Sequence, residues 1–255
     1  MSQVVELFGM RIDSLRMHEA VEKLRTWVDA DDGRCRYVVT PNVDHAVMYD
    51  ERPELRKAYE HASLVLADGF PVVVASRLLG RPLPERVAGS DLAPALFAAA
   101  KPEKRLRVYL LGAAPGVAER AGRNIEARWP GVEIVGTYSP PLGFERDEKE
   151  NGAIIERINA ARADVLVIGL GAPKQELWIA AHHEKLNAKT ALCIGATIDF
   201  LAGEKKRAPR WMQRFGVEWL HRLVSEPKRL LKRYARDAVI FPRLVWREWR
   251  TPARA

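Results

Sequence analysis

The stretch Ser63-Leu64-Val65-Leu66-Ala67-Asp68-Gly69-Phe70-Pro71 predicts how the chain folds. Its first five residues form an apolar run that is typical of a buried strand, and Asp68, Gly69 and Pro71 then end that run abruptly. Another apolar segment, residues 72–75, follows at once, and we expect it to begin a helix. This succession places the Asp68 carboxylate at the carboxyl end of a strand, which is the edge where open α/β sheets bind ligands.

The same alternation of strand and helix recurs along the chain. Apolar strands separated by helices of about a dozen residues are typical of a parallel sheet that is covered on both faces. We therefore predict an α/β fold with a Rossmann-like, mostly parallel sheet and a helical basic C-terminal appendage. The other predicted strands lie near residues 4–8, 37–39, 108–111, 133–135, 165–168 and 191–194. The helices are predicted at residues 14–28, 53–61, 91–100 (capped by Ser90), 118–129, 149–161 and 175–183.

Charge is distributed unevenly along the chain. The 255 residues include 41 Lys and Arg and 33 Asp and Glu, a net charge of +8. Residues 207–255 hold 13 basic and 4 acidic side chains, a net of +9, so the remainder has a net of −1. We therefore divide the chain into an α/β core, 1–204, and a basic appendage, 205–255, that meets an anionic surface.

The sequence of the appendage has the periodicity of helices. One face is apolar: Leu231, Tyr234, Ala238, Phe241, Val245 and Trp249. Another face is basic: Arg229, Arg233, Arg236, Arg243, Arg247 and Arg250. Such a helix either lies on a membrane surface or packs its apolar face on the core, and the charge asymmetry favours the membrane. Pro242 is expected to kink or break the helix.

Two further features bear on the compartment. No apolar run approaches the roughly 20 residues that span a bilayer, and the first residues lack the basic and apolar regions of a signal peptide. We therefore expect a cytoplasmic protein that is peripheral on the inner face of the membrane. Cys35 and Cys193 lie in apolar runs, so we expect buried free thiols rather than a disulfide or a metal site.

Polar or glycine-rich residues follow four of the predicted strands, and in a parallel sheet they share one edge. The stretches are Thr40-Pro41-Asn42, Ala67-Asp68-Gly69, residues 111–116 and residues 169–176. The two glycine-rich turns each precede a helix and suit a phosphate, although neither has the full dinucleotide or P-loop pattern. The alternative is that their glycines serve only tight turns.

Asp68 is the strongest candidate for an acid or base among these residues. Read alone, it is better explained as a helix cap than as a base, and His45 with Asp44 is another candidate acid or base. We find no Ser-His-Asp pattern, no Cys-His pattern and no His cluster with metal-ligand spacing. No Asp-x-Asp pair follows a strand, so a diphosphate held by a metal is not favoured.

Several motifs follow one another in a fixed order. They are Thr40-Pro41-Asn42, Ala67-Asp68-Gly69-Phe70-Pro71, Arg86-Val87-Ala88-Gly89-Ser90-Asp91, Gly171-Ala172-Pro173-Lys174-Gln175-Glu176, Gly195-Ala196-Thr197-Ile198-Asp199-Phe200 and Arg207-Ala208-Pro209-Arg210-Trp211-Met212. Their order resembles the WecG/TagA/CpsF glycosyltransferase family, from about residue 4 to about residue 234.

The resemblance implies an inverting glycosyltransferase that needs no metal or other cofactor. Its donor would be a UDP-sugar, and its acceptor a sugar on a polyprenyl diphosphate, in the synthesis of a cell-surface polysaccharide. Asp68 matches the proposed general base, and Thr40, Asn42 and Gln175 match other catalytic positions. The substrate-binding candidates are Arg86, Gly112, Phe144, Gly171, Asp199, Arg222, Arg229 and Lys232.

The chain departs from the family pattern after its middle strand. The family often has Gly-Tyr-Phe there, whereas this chain has Leu142-Gly143-Phe144, so Phe144 is the remaining candidate for stacking on uracil. The donor sugar stays open among N-acetylmannosamine, its uronic acid and glucose, and an oligomer is possible.

Each carried-over role has a plainer alternative. Arg86 would pair with Glu85 or Asp91, Asp199 would cap a turn, and Arg222 and Arg229 would be solvated. For the whole chain, the alternative function is a nucleotide-binding regulator whose basic tail binds nucleic acid. We expect no binding to nucleic acid, since the tail has a regular apolar face with tryptophans. A dehydrogenase is disfavoured by the incomplete glycine fingerprint.

Overall fold

The computed structural model describes residues 3–30 and 32–250, apart from the side chains of Arg210 and Arg214. The strands are β1 (Val4–Leu7), β2 (Met10–Asp13), β3 (Arg36–Val39), β4 (Leu64–Val65), β5 (Leu106–Gly112), β6 (Val132–Tyr138), β7 (Val165–Gly169) and β8 (Thr190–Cys193). The helices are α1 (Met17–Ala30), α2 (Val43–Glu51), α3 (Pro53–Glu60), α4 (Phe70–Leu78), α5 (Gly89–Ala98), α6 (Val117–Arg128), α7 (Glu148–Ala160), α8 (Lys174–His182), α9 (Thr197–Leu201), α10 (Arg210–Arg214), α11 (Glu218–Ser225) and α12 (Pro227–Arg250). Two 3₁₀ helices span Phe144–Arg146 and His183–Lys185.

Six of these strands form one parallel sheet in the order β4-β3-β8-β7-β5-β6. Because successive side chains of a strand point to opposite faces, each strand serves two cores. Val38, Val108 and Val167 face the core beneath α1, α5, α6 and α9. Tyr37 and Leu111 face the core beneath α2, α3, α4, α7 and α8. This arrangement confirms the predicted α/β fold with a parallel sheet covered on both faces.

The amino-terminal region differs from the prediction. β1 pairs only with β2, as an antiparallel hairpin outside the main sheet, and the following helix begins at Met17 rather than at residue 14. Helix α2 was not predicted. Its residues Asp44 to Tyr49 are all buried, so they lack the polar stripe by which a surface helix is recognised. Ser90 does not cap α5, since that helix starts at Gly89.

The appendage is helical, as predicted, and its last five residues, 251–255, lie outside the described part of the chain. Of the two effects predicted for Pro242, a kink or a break, the break does not occur, because α12 continues through it to Arg250. Proline removes the bond to the carbonyl of Ala238, and that residue is exposed to water. Leu244 and Val245, two and three residues after the proline, pack on the core and hold the helix in place.

The interpretation that the apolar face packs on the core holds for part of α12, and contact with a membrane stays a prediction. Leu244 is buried, and Phe241 and Val245 are partly buried against the core. Leu231 and Trp249 from the same predicted stripe are 61% and 64% exposed. The helix therefore packs along one side on the α/β core and presents apolar side chains outward along another.

Arginines of α12 also bind the core. Arg233 and Arg236 lie 3.5 and 2.9 Å from the carboxylate oxygens of Asp44 in α2. Asp44 is only 4% exposed, so these contacts are ion pairs at a buried carboxylate rather than at the surface. The prediction that the arginines of this helix share one face toward lipid or solvent is wrong for these two.

No helix in the described residues combines the length and apolar character needed to cross a bilayer. Cys35 and Cys193 are both free and buried, as predicted. Burial raises the pKa of the Cys35 thiol to about 12.

Gly112 ends β5 where the backbones of two strands meet. Its φ is +114°, and a Cβ on it would lie 2.6 Å from the carbonyl carbon and oxygen of Gly169 in β7. We expect Gly112→Ala to lower the free energy of unfolding by about 1–3 kcal/mol, because it adds both backbone strain and a steric clash. Thermal unfolding followed by circular dichroism would show Tm lower by several degrees.

The matched control is Gly152→Ala in α7. No heavy atom lies within 4 Å of a Cβ at that position, so alanine is expected to keep or raise Tm. An unchanged Tm in Gly112→Ala would contradict the close approach of the two backbones.

Candidate active site

A cavity of about 640 Å³ lies at the carboxyl ends of β4, β3, β8 and β7, with α11 and α12 of the appendage on its other side. We call it the cleft. It brings together nine of the twelve predicted site residues: Thr40, Asn42, Asp68, Arg86, Gly171, Gln175, Asp199, Arg222 and Arg229. Neighbouring parallel strands end at one edge, which is why residues so distant in sequence meet here.

Asp68 lies half-buried in the wall of the cleft, just beyond β4. Its backbone N–H donates to the Pro41 carbonyl at 2.9 Å, which ties the ends of β4 and β3 together. The side chain does not cap α4, whose first residue follows Gly69 and has no side-chain cap. Instead, Oδ2 accepts a long hydrogen bond of 3.4 Å from the N–H of Gly89 at the start of α5. Among the described residues no hydrogen bond is made to the other oxygen, Oδ1, and Asp68 lines the cleft.

The surroundings of Asp68 shift its proton equilibrium. Burial is the largest influence and raises the pKa of Asp68, and the nearby Glu218 carboxylate raises it further. Arg86 and Arg222 act in the opposite direction, without cancelling the rise. A carboxylate whose pKa lies above its ordinary value is a better proton acceptor than an exposed one.

Thr40 and Asn42 follow β3 and are held by backbone and side-chain bonds. The Thr40 hydroxyl donates to the Cys193 carbonyl at 3.3 Å, across the neighbouring strand end. Asn42 caps α2, because its Oδ1 accepts from the N–H of His45 at 3.3 Å. The same oxygen lies 2.9 Å from Nδ1 of the His45 ring. Both side chains are therefore positioned firmly beside Asp68.

A buried network connects this corner to α8. Gln175 Nε2 donates to Glu176 Oε1 at 2.8 Å, and Gln175 Oε1 accepts from the N–H of Gly195 at 3.2 Å. Glu176 Oε1 also lies 3.3 Å from Nε2 of His45. Glu176 is fully buried, and its Oε2 has no hydrogen-bond partner. A buried carboxylate of this kind needs a cation nearby.

His45 supplies that cation when it is protonated. Burial by itself disfavours the charged ring, but the hydrogen bond and charge of Glu176 outweigh it, so the pKa of His45 is raised. Asp44 and Asp68 act in the same direction. Both candidates line the cleft, but among the described residues Asp68 keeps one oxygen without a hydrogen bond, whereas His45 has Asn42 and Glu176 at its two ring nitrogens.

Arg86 joins the core to the appendage. Its guanidinium lies 3.1 Å from Glu218 of α11 and 3.4 Å from Asp91 of α5. Arg207 contacts the same two carboxylates, with Nη2 2.8 Å from Asp91 and Nε 3.8 Å from Glu218. The predicted pairing of Arg86 with Asp91 is present, and Glu218 is a partner that the sequence did not indicate.

The appendage also places cations at the cleft. Arg222 lies over the Phe200 ring, 5.9 Å from its centre. Arg229 pairs with Glu226 at 2.6 Å, and Lys205 lies 3.2 Å from the same glutamate and 3.6 Å from Asp199. Lys205, Arg222 and Arg229 line the same cavity as Gly171, which lies just before the start of α8.

Three predicted site residues do not line the cleft. Gly112 lies one strand further along the sheet, and Phe144 is 4% exposed and packed in the core, with Lys174 over its ring. Lys232 is exposed on α12. Their roles in binding stay predictions. For Phe144, stacking on a base requires a ring face that the core covers in this structure.

The structure also identifies site residues that the sequence did not. Glu176, Glu218 and Arg233 line or border the cleft, and each acts through a partner far away in the chain. Within residues 3–30 and 32–250, no group of three or more His, Cys, Asp and Glu is placed to hold a metal ion. The cleft thus combines the Asp68 carboxylate with several cations, an arrangement suited to a proton transfer beside a phosphate.

Known proteins resemble this chain over most of its length. Residues 5–255 match the model of a family described as "Glycosyl transferase WecG/TagA/CpsF family". An N-acetylglucosaminyldiphosphoundecaprenol N-acetyl-β-D-mannosaminyltransferase of Bacillus spizizenii is 33% identical over 204 residues, which is 80% of this chain and 76% of that protein. The protein of the same name from Staphylococcus aureus strain MRSA252 is 30% identical over 229 residues, 89% of this chain and 86% of that protein.

The buried pair of His45 and Glu176 predicts a pH dependence. Since the folded-state pKa of His45 is raised above 6.5, its contribution to stability is full below pH 6.5 and is lost as the pH rises through the higher folded-state value. In Glu176→Gln we expect the His45 pKa to fall and the stability difference from wild type to be largest at low pH. NMR titration of the histidines and urea unfolding across pH would measure both.

Glu184→Gln makes the same change at an exposed glutamate just after α8 and serves as the control. It is expected to leave the His45 titration unchanged. A His45 pKa that is the same in wild type and Glu176→Gln would show that Glu176 does not stabilise the charged ring.

Proposed function

We infer what this protein does from one premise: the chain belongs to the glycosyl transferase WecG/TagA/CpsF family. We propose that it transfers a sugar, of N-acetylmannosamine or glucose type, from a UDP donor to a sugar linked to a polyprenyl diphosphate, for a cell-surface polysaccharide. The names of the two relatives, which transfer N-acetylmannosamine to N-acetylglucosaminyldiphosphoundecaprenol, support the acceptor class and one of the donor sugars.

One observation carries the mechanism: the Asp68 carboxylate faces a cleft whose opposite side is basic. Asp68 takes the proton of the acceptor hydroxyl as that oxygen attacks the anomeric carbon of the donor sugar. The new C–O bond forms on the face opposite the UDP, so the configuration inverts. The bond between the anomeric carbon and the diphosphate oxygen breaks, and UDP leaves with that electron pair.

The leaving diphosphate gains negative charge, and the cleft offers groups to stabilise it. Arg222 and Arg229 from the appendage, and the backbone N–H groups near Gly171, are oriented before the reaction and need no metal in this proposal. Arg86 is shared between Glu218 and Asp91, so it fixes the position of α11 and is also within the cleft for an anionic group of a substrate.

Thr40, Asn42 and Gln175 position the substrate and Asp68. Each has its side chain fixed by bonds to the backbone or to the network of His45 and Glu176. A polar group whose rotamer is already fixed loses little entropy when it orients a substrate. In this proposal Asp199, which pairs with Lys205, lies on the nucleotide side of the cleft.

The basic appendage brings the cleft to an anionic membrane surface in this proposal. A polyprenyl-linked acceptor resides in a membrane, and basic groups near an anionic bilayer gain about 1 kcal/mol each. Lys228, Lys232, Arg243 and Arg250 are exposed on α12, and large apolar side chains are exposed beside them. The protein is then peripheral on the cytoplasmic face.

We expect Asp68→Asn to lower the rate of sugar transfer by about 10²–10⁴-fold, because the acceptor hydroxyl loses its proton acceptor. UDP binding, measured by calorimetry, is expected to stay within about threefold, since the amide keeps the shape of the side chain. Release of UDP from UDP-N-acetylmannosamine with a lipid-diphosphate N-acetylglucosamine acceptor measures the rate.

Asp237→Asn is the matched control for this variant. Asp237 also lines the cleft, and burial raises its pKa as it raises that of Asp68, but it lies on α12 beside Arg236. Its loss of charge is expected to cost less than about tenfold in rate. Turnover near the wild-type level in Asp68→Asn would exclude Asp68 as the base.

The membrane role is tested with the double variant Lys228→Gln, Lys232→Gln. Loss of two exposed charges from α12 is expected to weaken binding to vesicles that contain anionic lipid by roughly tenfold or more, with little effect on neutral vesicles. Lys101→Gln, Lys104→Gln removes two exposed lysines just before β5, at the opposite edge of the sheet, and is expected to have little effect.

Equal vesicle binding by the two double variants would contradict docking through α12. Tighter binding of the wild-type protein to DNA than to anionic vesicles at the same salt concentration would instead favour a nucleic-acid-binding regulator.

A further inference from the structure

A second cavity, of about 740 Å³, lies between α4 and the helices of the appendage. We call it the apolar groove, because every residue that lines it is apolar or a glycine. Helix α4 and its end contribute Phe70, Pro71, Val74, Ala75, Leu78 and Leu79. The appendage contributes Phe215, Gly216, Trp219, Phe241, Pro242, Val245, Trp246 and Trp249.

The apolar groove is continuous with the cleft. Six residues line both cavities: Phe70, Pro71, Gly216, Trp219, Phe241 and Pro242. Phe70 follows Asp68 by only two residues, so the wall shared by the two cavities begins next to the proposed base. The Phe70 ring packs directly on the backbone of Gly216, where a Cβ would collide with it.

The part of the apolar groove that is not shared with the cleft opens to the surface. Leu78, Phe215 and Trp249 are 71%, 72% and 64% exposed there. Exposed apolar side chains in such number mark a surface that meets a lipid or a partner. Tryptophan at the rim is typical of the boundary between a membrane and water.

We propose that the apolar groove binds the isoprenoid chain of the acceptor, in the units next to its diphosphate. This inference rests on the proposed function, since it assigns a place to the lipid part of the acceptor. An acceptor whose sugar reaches Asp68 must direct its hydrocarbon chain away from the charged cleft, where Arg86, Glu218 and Arg222 would lose hydration against it. The apolar groove is the adjoining cavity without charged side chains.

Continuity with the cleft favours a substrate chain over other occupants. A second copy of the protein, or acyl chains of the bilayer, would explain the exposed rim but not the wall shared with the catalytic cavity. A chain that belongs to the same molecule as the reacting sugar explains both.

The test compares two water-soluble acceptors that share N-acetylglucosaminyl diphosphate and carry either a farnesyl or a methyl group on the outer phosphate. Vesicles and detergent are omitted, and the farnesyl acceptor is kept below the concentration at which it forms micelles. Wild-type protein is expected to use the farnesyl acceptor with a kcat/KM about tenfold higher or more. The difference should lie in KM, since a bound chain contributes equally to the ground state and the transition state.

Leu78→Asp places a carboxylate in the apolar groove, at a residue exposed enough for the fold to tolerate it. We expect the preference for farnesyl to fall to about twofold or less, with kcat/KM for the methyl acceptor within about twofold of wild type. Val224→Asp is the matched control: its side chain is 75% exposed on α11 and does not line the apolar groove. It should keep the wild-type preference.

A second matched pair lies on α12. Trp246 lines the apolar groove and is 56% exposed, whereas Val239 is 52% exposed and does not line it. Trp246→Asp is expected to reduce the preference for farnesyl, and Val239→Asp to keep it.

Different failures have different meanings. Equal kcat/KM of the wild type for both acceptors would overturn the proposed groove while leaving the proposed function intact. So would a Leu78→Asp variant that loses both acceptors equally, or a wild-type dimer in native mass spectrometry that Leu78→Asp dissociates. No transfer to either acceptor, from either UDP-N-acetylmannosamine or UDP-glucose, would refute the proposed function. Binding of farnesyl diphosphate, followed by tryptophan fluorescence, then tests the groove alone, and equal affinity in wild type and Leu78→Asp overturns it.

Discussion

The position of the appendage on the core depends on the buried carboxylate of Asp44. Arg233 and Arg236 of α12 contact its two oxygens, and a charge buried without such partners is strongly destabilising. Moving α12 along α2 by one turn, about 5.4 Å, would take both guanidinium groups out of reach while Asp44 stayed covered. The ion pairs therefore set the register of the two helices. That register places Arg229 and Tyr234 at the cleft and Phe241 and Val245 at the apolar groove.

The electrostatics of the cleft belong to core and appendage jointly. Arg222 opposes the rise in the pKa of Asp68, and Glu218 adds to it, and both residues come from α11. Arg86, which lowers the pKa of Asp68, belongs to the core, but its guanidinium pairs both with Asp91 of the core and with Glu218 of the appendage. The proton affinity of the candidate base is thus a property of the docked helices as well as of the strand end. This coupling gives a physical reason for one chain to contain both parts.

The strands of the main sheet were predictable from the sequence, because each is an apolar run followed by a glycine or a polar turn. The edge at which Thr40, Asp68 and Gln175 meet followed from the rule for parallel strands. β1 was predicted as a strand, but its antiparallel pairing with β2 was missed, because β2 is only four residues long. The stability of this hairpin comes from contacts of Leu7, Met10 and Ile12 with the core.

The remaining differences have the same origin in distant contacts. Glu176 was within a recognised motif, but its importance depends on His45, which lies far away in sequence and at 3.3 Å in space. Burial of Phe144 depends on α7, where Asn151 donates to the Phe144 carbonyl at 3.0 Å. Helix α12 passes through Pro242 because its neighbours pack on the core. None of these contacts leaves a periodic pattern in the residues around it.

Gly216 restricts which amino-acid substitutions can change the size of the two cavities. Its φ of +71° and its contact with the Phe70 ring leave no room for a side chain, so the turn before α11 lies directly against the first residue of α4. Both cavities are bounded by this contact, and any bulk added there would widen both together. A substitution at this contact therefore changes the size of both cavities at once, and neither can be changed independently of the other there.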